Sequence, residues 1–264
     1  MRFRLTSGLS IRYRTRGAGQ LVVLLHPVGL RSEFWDPVIA ELEGSFRLIA
    51  PDTRGHGGSD VSGQPFTLDD LASDVIELLR AVGGGPAVLV GCSMGGMIAQ
   101  GVALQAPDIT AGLVIANTTH TRTDQGRAVM EQRAVEAAKG MPAVLQTTLS
   151  RWFNDEVQRS QPDIVAHARA WLLEADPIVH SWSWRAIRDL SYGDRLKDVR
   201  VPALAISGTD DQSAAPSAVE AMSKVFPDGT YREMTGVGHL APLEQPARFA
   251  ALLREFIGGL PDAR

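Results

Sequence analysis

The chain of 264 residues has a single cysteine, Cys92, which excludes an intrachain disulfide and fits a reducing compartment. No apolar run approaches the ~18 residues that a membrane-spanning helix needs, so no membrane partner is expected. No apolar stretch follows the arginines at the start, so no signal peptide is expected and the chain reads as cytoplasmic. An excess of either charge is also missing. Against 26 Lys and Arg stand 30 Asp and Glu, a formal net charge of -4, which argues against nucleic acid as the main partner. There is no internal repeat, low-complexity tract or disordered linker, and no cluster of metal-ligating residues, so neither metal nor organic cofactor is called for. The pattern carries no signature of oligomeric state.

What is present is the composition of a globular α/β protein, with 44% hydrophobic and 21% charged residues. The early arginines Arg2, Arg4, Arg12, Arg14 and Arg16 alternate with other residues, which sets them on solvated faces of two short strands around Ser7-Gly8. The runs 21–25, 46–50, 87–90, 113–116, 203–207 and 230–234 read as strands, the first of them apolar throughout as in a sheet covered on both faces. Helices are expected over 32–43 with Ser32 as N-cap, from Thr67 to about Val82, over 94–105, near 216–226 and over 246–258. Strand and helix alternate, so the sheet is mostly parallel with helices on both faces. The alternation fails over 118–195, where breakers at Pro142, Pro162 and Pro177 divide helical patterns that carry four of the five tryptophans. This stretch reads as a helical cap inserted into a core formed by 1–117 and 196–264.

The strongest chemical signal is Gly91-Cys92-Ser93-Met94-Gly95, a G-x-S-x-G between an expected strand and an expected helix. A sharp strand-to-helix turn strains the serine backbone and leaves no room for side chains at 91 and 95. It sets Ser93 at the carboxyl end of the sheet, beside a helix N-terminus that favours developing negative charge. A serine needs a base, and Gly236-Val237-Gly238-His239 follows the last strand, which assigns that task to His239. The acid that orients the imidazole should follow the preceding strand, where Asp210 and Asp211 compete. Asp211 is preferred, with Asp210 a loop or solvated carboxylate. Asn117, at the end of strand 113–116, stands where such an acid can also sit, but an amide stabilises an imidazolium less well. Serine, aspartate and histidine in this chain order mark the α/β-hydrolase fold. Two backbone N–H groups should hold an oxyanion, one from Met94 and one from Val28, since Pro27 has no N–H to give. His26 reads as a structural histidine shaping that loop, and Cys92 as an inert packed thiol.

From about residue 3 to residue 257 the chain resembles the α/β-hydrolase family. The likeness rests on His26-Pro27-Val28-Gly29, Asp52-Thr53-Arg54-Gly55-His56-Gly57-Gly58-Ser59, Gly91–Gly96, Gly208-Thr209-Asp210-Asp211 and Gly238-His239-Leu240. The segment beginning at Asp52 is a structural hallmark with no direct chemistry, and His56 within it is taken as surface or loop packing. Within the family the chain is similar to the 3-oxoadipate enol-lactonases. The residues that carry this are Gly91–Gln100, Asn117-Thr118-Thr119, Arg133, Gly140-Met141 and Arg151-Trp152-Phe153. That resemblance implies a helical cap over Ser93 and hydrolysis of a small ester or lactone, with Arg133 or Arg151 pairing with a substrate carboxylate. It also puts Trp152, His180 and Trp184 among the candidate substrate contacts, with bulky tryptophans where many enol-lactonases have small residues. Other readings are a C–C bond hydrolase of a diketone, a perhydrolase, and a small-molecule receptor with slow turnover. Ser93 stands where haloalkane- and epoxide-cleaving relatives carry aspartate.

Overall fold

The computed structural model describes residues 1–261; the last three positions of the expected 196–264 segment lie outside the described residues. Eight strands form one sheet in the order β1-β2-β4-β3-β5-β6-β7-β8. They are β1 Arg2–Arg4, β2 Ser10–Arg16, β3 Leu21–Leu25, β4 Arg47–Pro51, β5 Ala87–Cys92, β6 Thr110–Ala116, β7 Ala203–Gly208 and β8 Gly229–Met234. The first two pair antiparallel, and β3 to β8 run parallel. Strands β3, β5 and β7 are buried at every position, as the continuous apolar runs require of a sheet covered on both sides.

The α-helices are α1 Asp36–Leu42, α2 Leu68–Val82, α3 Met94–Gln105, α4 Asp124–Ala137, α5 Met141–Trp152, α6 Asp155–Ser160, α7 Pro162–Glu174, α8 Pro177–Arg188, α9 Pro216–Ser223, α10 Ala241–Glu244 and α11 Pro246–Gly258. Helix α2 begins at a capping box in which Thr67 and Asp70 satisfy each other's backbone N–H groups. The expected helix from Ser32 is divided. Residues Ser32–Trp35 form a 3-10 turn, and the α-helix starts at Asp36, where Pro37 fits the first turn because its missing N–H has no partner to lose. Ser32 is not an α-helix N-cap, and its N–H donates to Asp52 Oδ1 at 2.7 Å.

Arg12 is not a solvated arginine. It pairs with Glu33 and with the fully buried Asp52, whose carboxylate also accepts the Ser32 and Gly58 N–H groups. Burial would raise the Asp52 pKa, but these partners hold it below the usual carboxylate range. Arg54 forms a bidentate pair with Asp74 on α2. His56 is buried rather than on the surface, with its ring 5.2 Å from that of His26.

Helices α4 to α8 all lie between β6 and β7. Where this segment leaves and rejoins the sheet, Thr121 and Ser191 form an isolated antiparallel bridge, and the Tyr192 and Gly193 N–H groups donate to the His120 carbonyl. Strands β3 and β5 are neighbours, while the chain leaves β3 towards β4 on one side and β5 towards β6 on the other. Their carboxyl ends therefore open a crevice at the point where the strand order reverses. Among the described residues no helix is long and apolar enough to cross a membrane.

Candidate active site

Ser93 occupies the crevice edge of β5. The buried strand Ala87–Cys92 ends there, and α3 begins at Met94. The Ser93 backbone has φ 53° and ψ -118°, a left-handed conformation that is strained for a residue with a side chain, by about 1–3 kcal/mol. Two contacts hold the strain: the Ser93 N–H donates to the Ala116 carbonyl at 2.9 Å, and the Thr118 hydroxyl donates to the Ser93 carbonyl at 2.8 Å. A side chain at 91 would strike the Gly95 carbonyl, and one at 95 would strike the Leu25 carbonyl of β3. Both glycines are therefore needed for the turn to close.

His239 Nε2 lies 3.0 Å from Ser93 Oγ, and His239 Nδ1 lies 2.9 Å from each oxygen of Asp211. All three side chains are buried. The network assigns the tautomer: Nδ1–H donates to the aspartate, leaving Nε2 to accept from the serine hydroxyl. Asp211 also accepts the Ser213 and Ala214 N–H groups and the Asn117 amide, the last at 3.0 Å. Burial would raise its pKa. The hydrogen bond from His239 and these donors more than offset that, so the carboxyl lies below its ordinary range and stays ionised. Asp210 points away, exposed, and accepts from Thr209 and from the Asn154 side chain at 2.9 and 2.6 Å.

Asn117 sits where an acid was weighed, and its role is different. With φ 52°, it uses a conformation that asparagine tolerates better than most residues. Its amide reaches both Asp211 and the Gly238 carbonyl. The loop of His239 is fixed at several atoms. The His239 N–H donates to the Trp152 carbonyl at 2.9 Å, and the Glu244 carboxylate accepts the N–H groups of Gly238 and Leu240 at 2.8 and 3.0 Å. Burial pushes the Glu244 carboxyl up to about 7, against the pull of those two N–H donors. Cys92 donates its thiol hydrogen to the His239 carbonyl at 3.7 Å, and burial raises its pKa, so it is a packed and unreactive group.

Among the described residues neither the Val28 nor the Met94 N–H has a protein acceptor. Met94 is the first residue of α3, where an N–H has no intrahelical partner. The Val28 loop is held by His26, whose Nδ1 lies 2.8 Å from the Pro27 carbonyl and whose Nε2 accepts the Thr53 N–H at 3.0 Å. Buried and neutral, His26 is the structural histidine expected from its position.

Ser93, His239 and Val28 face a cavity of about 250 Å³ roofed from α4, α5 and α8. Trp152 and Trp184 line it, together with Arg133 and Arg151, whose guanidinium carbons lie 4.9 and 5.7 Å from the centre of the Trp184 ring. His180 does not line it. It is buried behind Trp184, whose indole N–H donates to His180 Nε2 at 3.0 Å, so it orients the tryptophan from the far side. The spacing of 180 and 184 is one helical turn, which puts both on one flank of α8, but only packing shows which of the two reaches the cavity. Trp182 projects elsewhere, edge-on to Phe66. A third arginine, Arg122, also lines the cavity. In sequence it is one polar residue in a polar loop, with nothing to mark it.

A parallel sheet with a left-handed serine between β5 and α3, facing a histidine after the last strand, defines the α/β-hydrolase class. The model of the alpha/beta hydrolase family matches residues 22–252, and the chain belongs to that family. It is 29% identical over 260 residues to (E)-2-((N-methylformamido)methylene)succinate hydrolase of Acinetobacter baylyi, covering 97% of each chain. It is 25% identical over 243 residues to 3-oxoadipate enol-lactonase 2 of the same organism, covering 91% of this chain and 90% of the other. The crystal structure of the enol-lactonase from Burkholderia xenovorans superposes with a TM-score of 0.93 at 27% identity, covering 98% of this chain and 100% of that one. The likeness to enol-lactonases read from the motifs thus holds along the whole chain and in three dimensions.

Proposed function

We propose that this chain hydrolyses a small carboxylic ester or lactone through an acyl-enzyme on Ser93. The observation that carries the reading is the continuous chain of hydrogen bonds from Ser93 Oγ through His239 to Asp211, 3.0 and 2.9 Å long, at the floor of the cavity. His239 takes the Ser93 proton as Oγ bonds to the acyl carbon, and the carbonyl oxygen becomes an oxyanion held by the free N–H groups of Val28 and Met94. The carbon–oxygen bond to the leaving group then breaks, and His239 Nε2–H protonates that oxygen. Water enters, gives its proton to His239, and releases the acid and Ser93. With a lactone, acid and alcohol remain in one product. Asp211 stays ionised throughout and holds the imidazole by its Nδ1–H.

Helices α4 to α8 act in this reading as a cap. They exclude water from the cavity, and Arg133, Arg151, Trp152 and Trp184 hold the part of the substrate that does not react. The test is turnover of p-nitrophenyl acetate and of 3-oxoadipate enol-lactone by the unmodified protein and by Ser93→Ala. A loss of about 10⁴-fold or more in kcat is expected in the variant. Undiminished hydrolysis by Ser93→Ala would refute the mechanism.

A further inference from the structure

One buried imidazole on α8 touches both the turn that carries the Val28 N–H and a side chain in the wall of the cavity. Pro27 to Leu30 form a turn closed by the Leu30 N–H on the Pro27 carbonyl at 3.2 Å, with Gly29 at φ 74°, a region that glycine enters freely. The His180 ring lies against this turn: a methyl group at 29 would come within 2.7 Å of its Cε1 and 2.9 Å of its Nδ1. The same ring accepts the Trp184 indole N–H at Nε2, 3.0 Å away. Trp184 in turn lines the cavity beside Ser93 and holds Arg133 and Arg151 over its ring.

The protonation of this ring follows from its partners. Burial, helped by the Arg151 charge, pushes His180 down to about 3, so the imidazole is neutral. Nε2 accepts from the indole, which puts the proton on Nδ1. Nδ1 is buried and, among the described residues, has no acceptor. A leucine or phenylalanine at 180 could pack against Gly29 and would leave no polar atom of its own unpaired, so packing alone does not call for histidine. What histidine adds is an acceptor for Trp184 on a stiff ring that braces the turn. On the core side the turn is held by His26, whose Nδ1 lies 2.8 Å from the Pro27 carbonyl. The Val28 N–H is thus set by His26 from the core and by His180 from α8. An oxyanion donor is effective when it is fixed in place before the charge develops, and neighbours that lock it supply that rigidity.

We infer that His180 is a positioning residue for the oxyanion donor: its ring ties the Val28 turn to Trp184, so that the cavity wall and the N–H that receives the oxyanion are held as one piece. This rests on the proposed hydrolysis at Ser93, and it gives His180 a part in turnover without contact with the substrate. Loss of the tie is felt in the transition state, where the oxyanion exists, and little in the binding of an uncharged ester.

The test is a double-mutant cycle on p-nitrophenyl acetate. His180→Phe keeps a ring against Gly29 but offers no acceptor, and Trp184→Phe removes the indole N–H. Folding of each variant is checked by circular dichroism, and rates are expressed per folded molecule. His180→Phe is expected to lower kcat about tenfold with KM changed less than about twofold, whereas a merely structural role would lower the thermal midpoint and leave kcat of the folded molecules alone. Because the two substitutions cut the same tie, the double variant should keep at least about threefold more activity than the product of the single losses allows. An unchanged kcat in folded His180→Phe, a rise in KM alone, or losses that simply multiply would each overturn the inference. Where His180→Phe does not fold, His180→Gln takes its place. It keeps an acceptor for the indole but not the ring, and the same loss of about tenfold in kcat is expected. If that variant does not fold either, His180 is a structural prop and the inference is overturned. If turnover needs Ser93 but not His180, only the positioning role fails. If Ser93→Ala is as active as the unmodified protein, it is the proposed mechanism that fails.

Discussion

The carbonyl oxygen of Trp152 accepts the backbone N–H of His239 at 2.9 Å, so the last residue of α5 and the residue facing Ser93 share a hydrogen bond. That carbonyl is one of the four that a helix leaves unpaired at its C-terminus. The helices above the cavity thus help to position the imidazole below it.

Gly238→Ala tests this link. A methyl group at 238 would lie 2.6 Å from the Trp152 carbonyl and 3.1 Å from Glu244 Oε1, so the loop has to retreat from α5. Stability should fall by about 1–3 kcal/mol. Ester turnover should fall more than tenfold, because misplacement of a reacting group by a fraction of an ångström is costly. Denaturant unfolding and kcat measured side by side check both.

Asp211→Asn should lower kcat by about 10⁴-fold, because the amide favours the wrong imidazole tautomer. Asn117→Ala should have a smaller effect, roughly tenfold in kcat. It removes one of the donors that keep Asp211 ionised and puts alanine at a left-handed backbone position. Rates of the two variants on one substrate, with thermal midpoints as the control, rank the two groups.

Glu244 gives a pH prediction with a definite sign. Its carboxyl titrates near 7 in the folded chain against an ordinary 4.5, so between these values the folded state holds a proton that the unfolded state has lost. The stability contributed by Glu244 is full below about pH 4.5 and declines by up to about 1.4 kcal/mol per pH unit as pH rises towards 7. Glu244→Gln should flatten that part of the stability curve, measured by denaturant unfolding at several pH values. It should also lower stability at pH 5, because an amide cannot accept both loop N–H groups as the carboxyl does.

Gly95→Ala should abolish folding or cost more than about 3 kcal/mol, since the new methyl group overlaps the Leu25 carbonyl and neither β3 nor α3 can yield. Soluble yield and urea midpoint are the readouts. A cost below about 1 kcal/mol would mean that the turn is less tightly closed than its geometry states.

The strands, the serine turn and the loops of Asp211 and His239 were legible because local rules govern them. A buried parallel strand needs an unbroken apolar run, and a tight turn needs glycine at fixed places. The contribution of Asn117 was not legible, because its partner Asp211 lies far along the chain. Those of Glu244 and Arg122 were not legible because burial decides them, and a polar residue's neighbours in sequence do not state it. His180 was misplaced for a related reason. Helical spacing puts residues on a flank, but the close backbone of Gly29, which sits against the His180 ring, settles which side faces inward.

The bridge between Thr121 and Ser191 closes the neck of the segment that holds α4 to α8. Strands paired in this way stand about 5 Å apart, so the two ends of a long stretch of chain meet as closely as the ends of a hairpin. Strands β6 and β7 are adjacent and in register where the stretch begins and ends. The stretch can therefore be grafted: another segment with meeting ends would join the sheet at modest entropic cost, since closure depends only weakly on length. A transplant has one obligation. It must bring an acceptor for the His239 N–H, or the recipient gains a new pocket and loses the base that serves it.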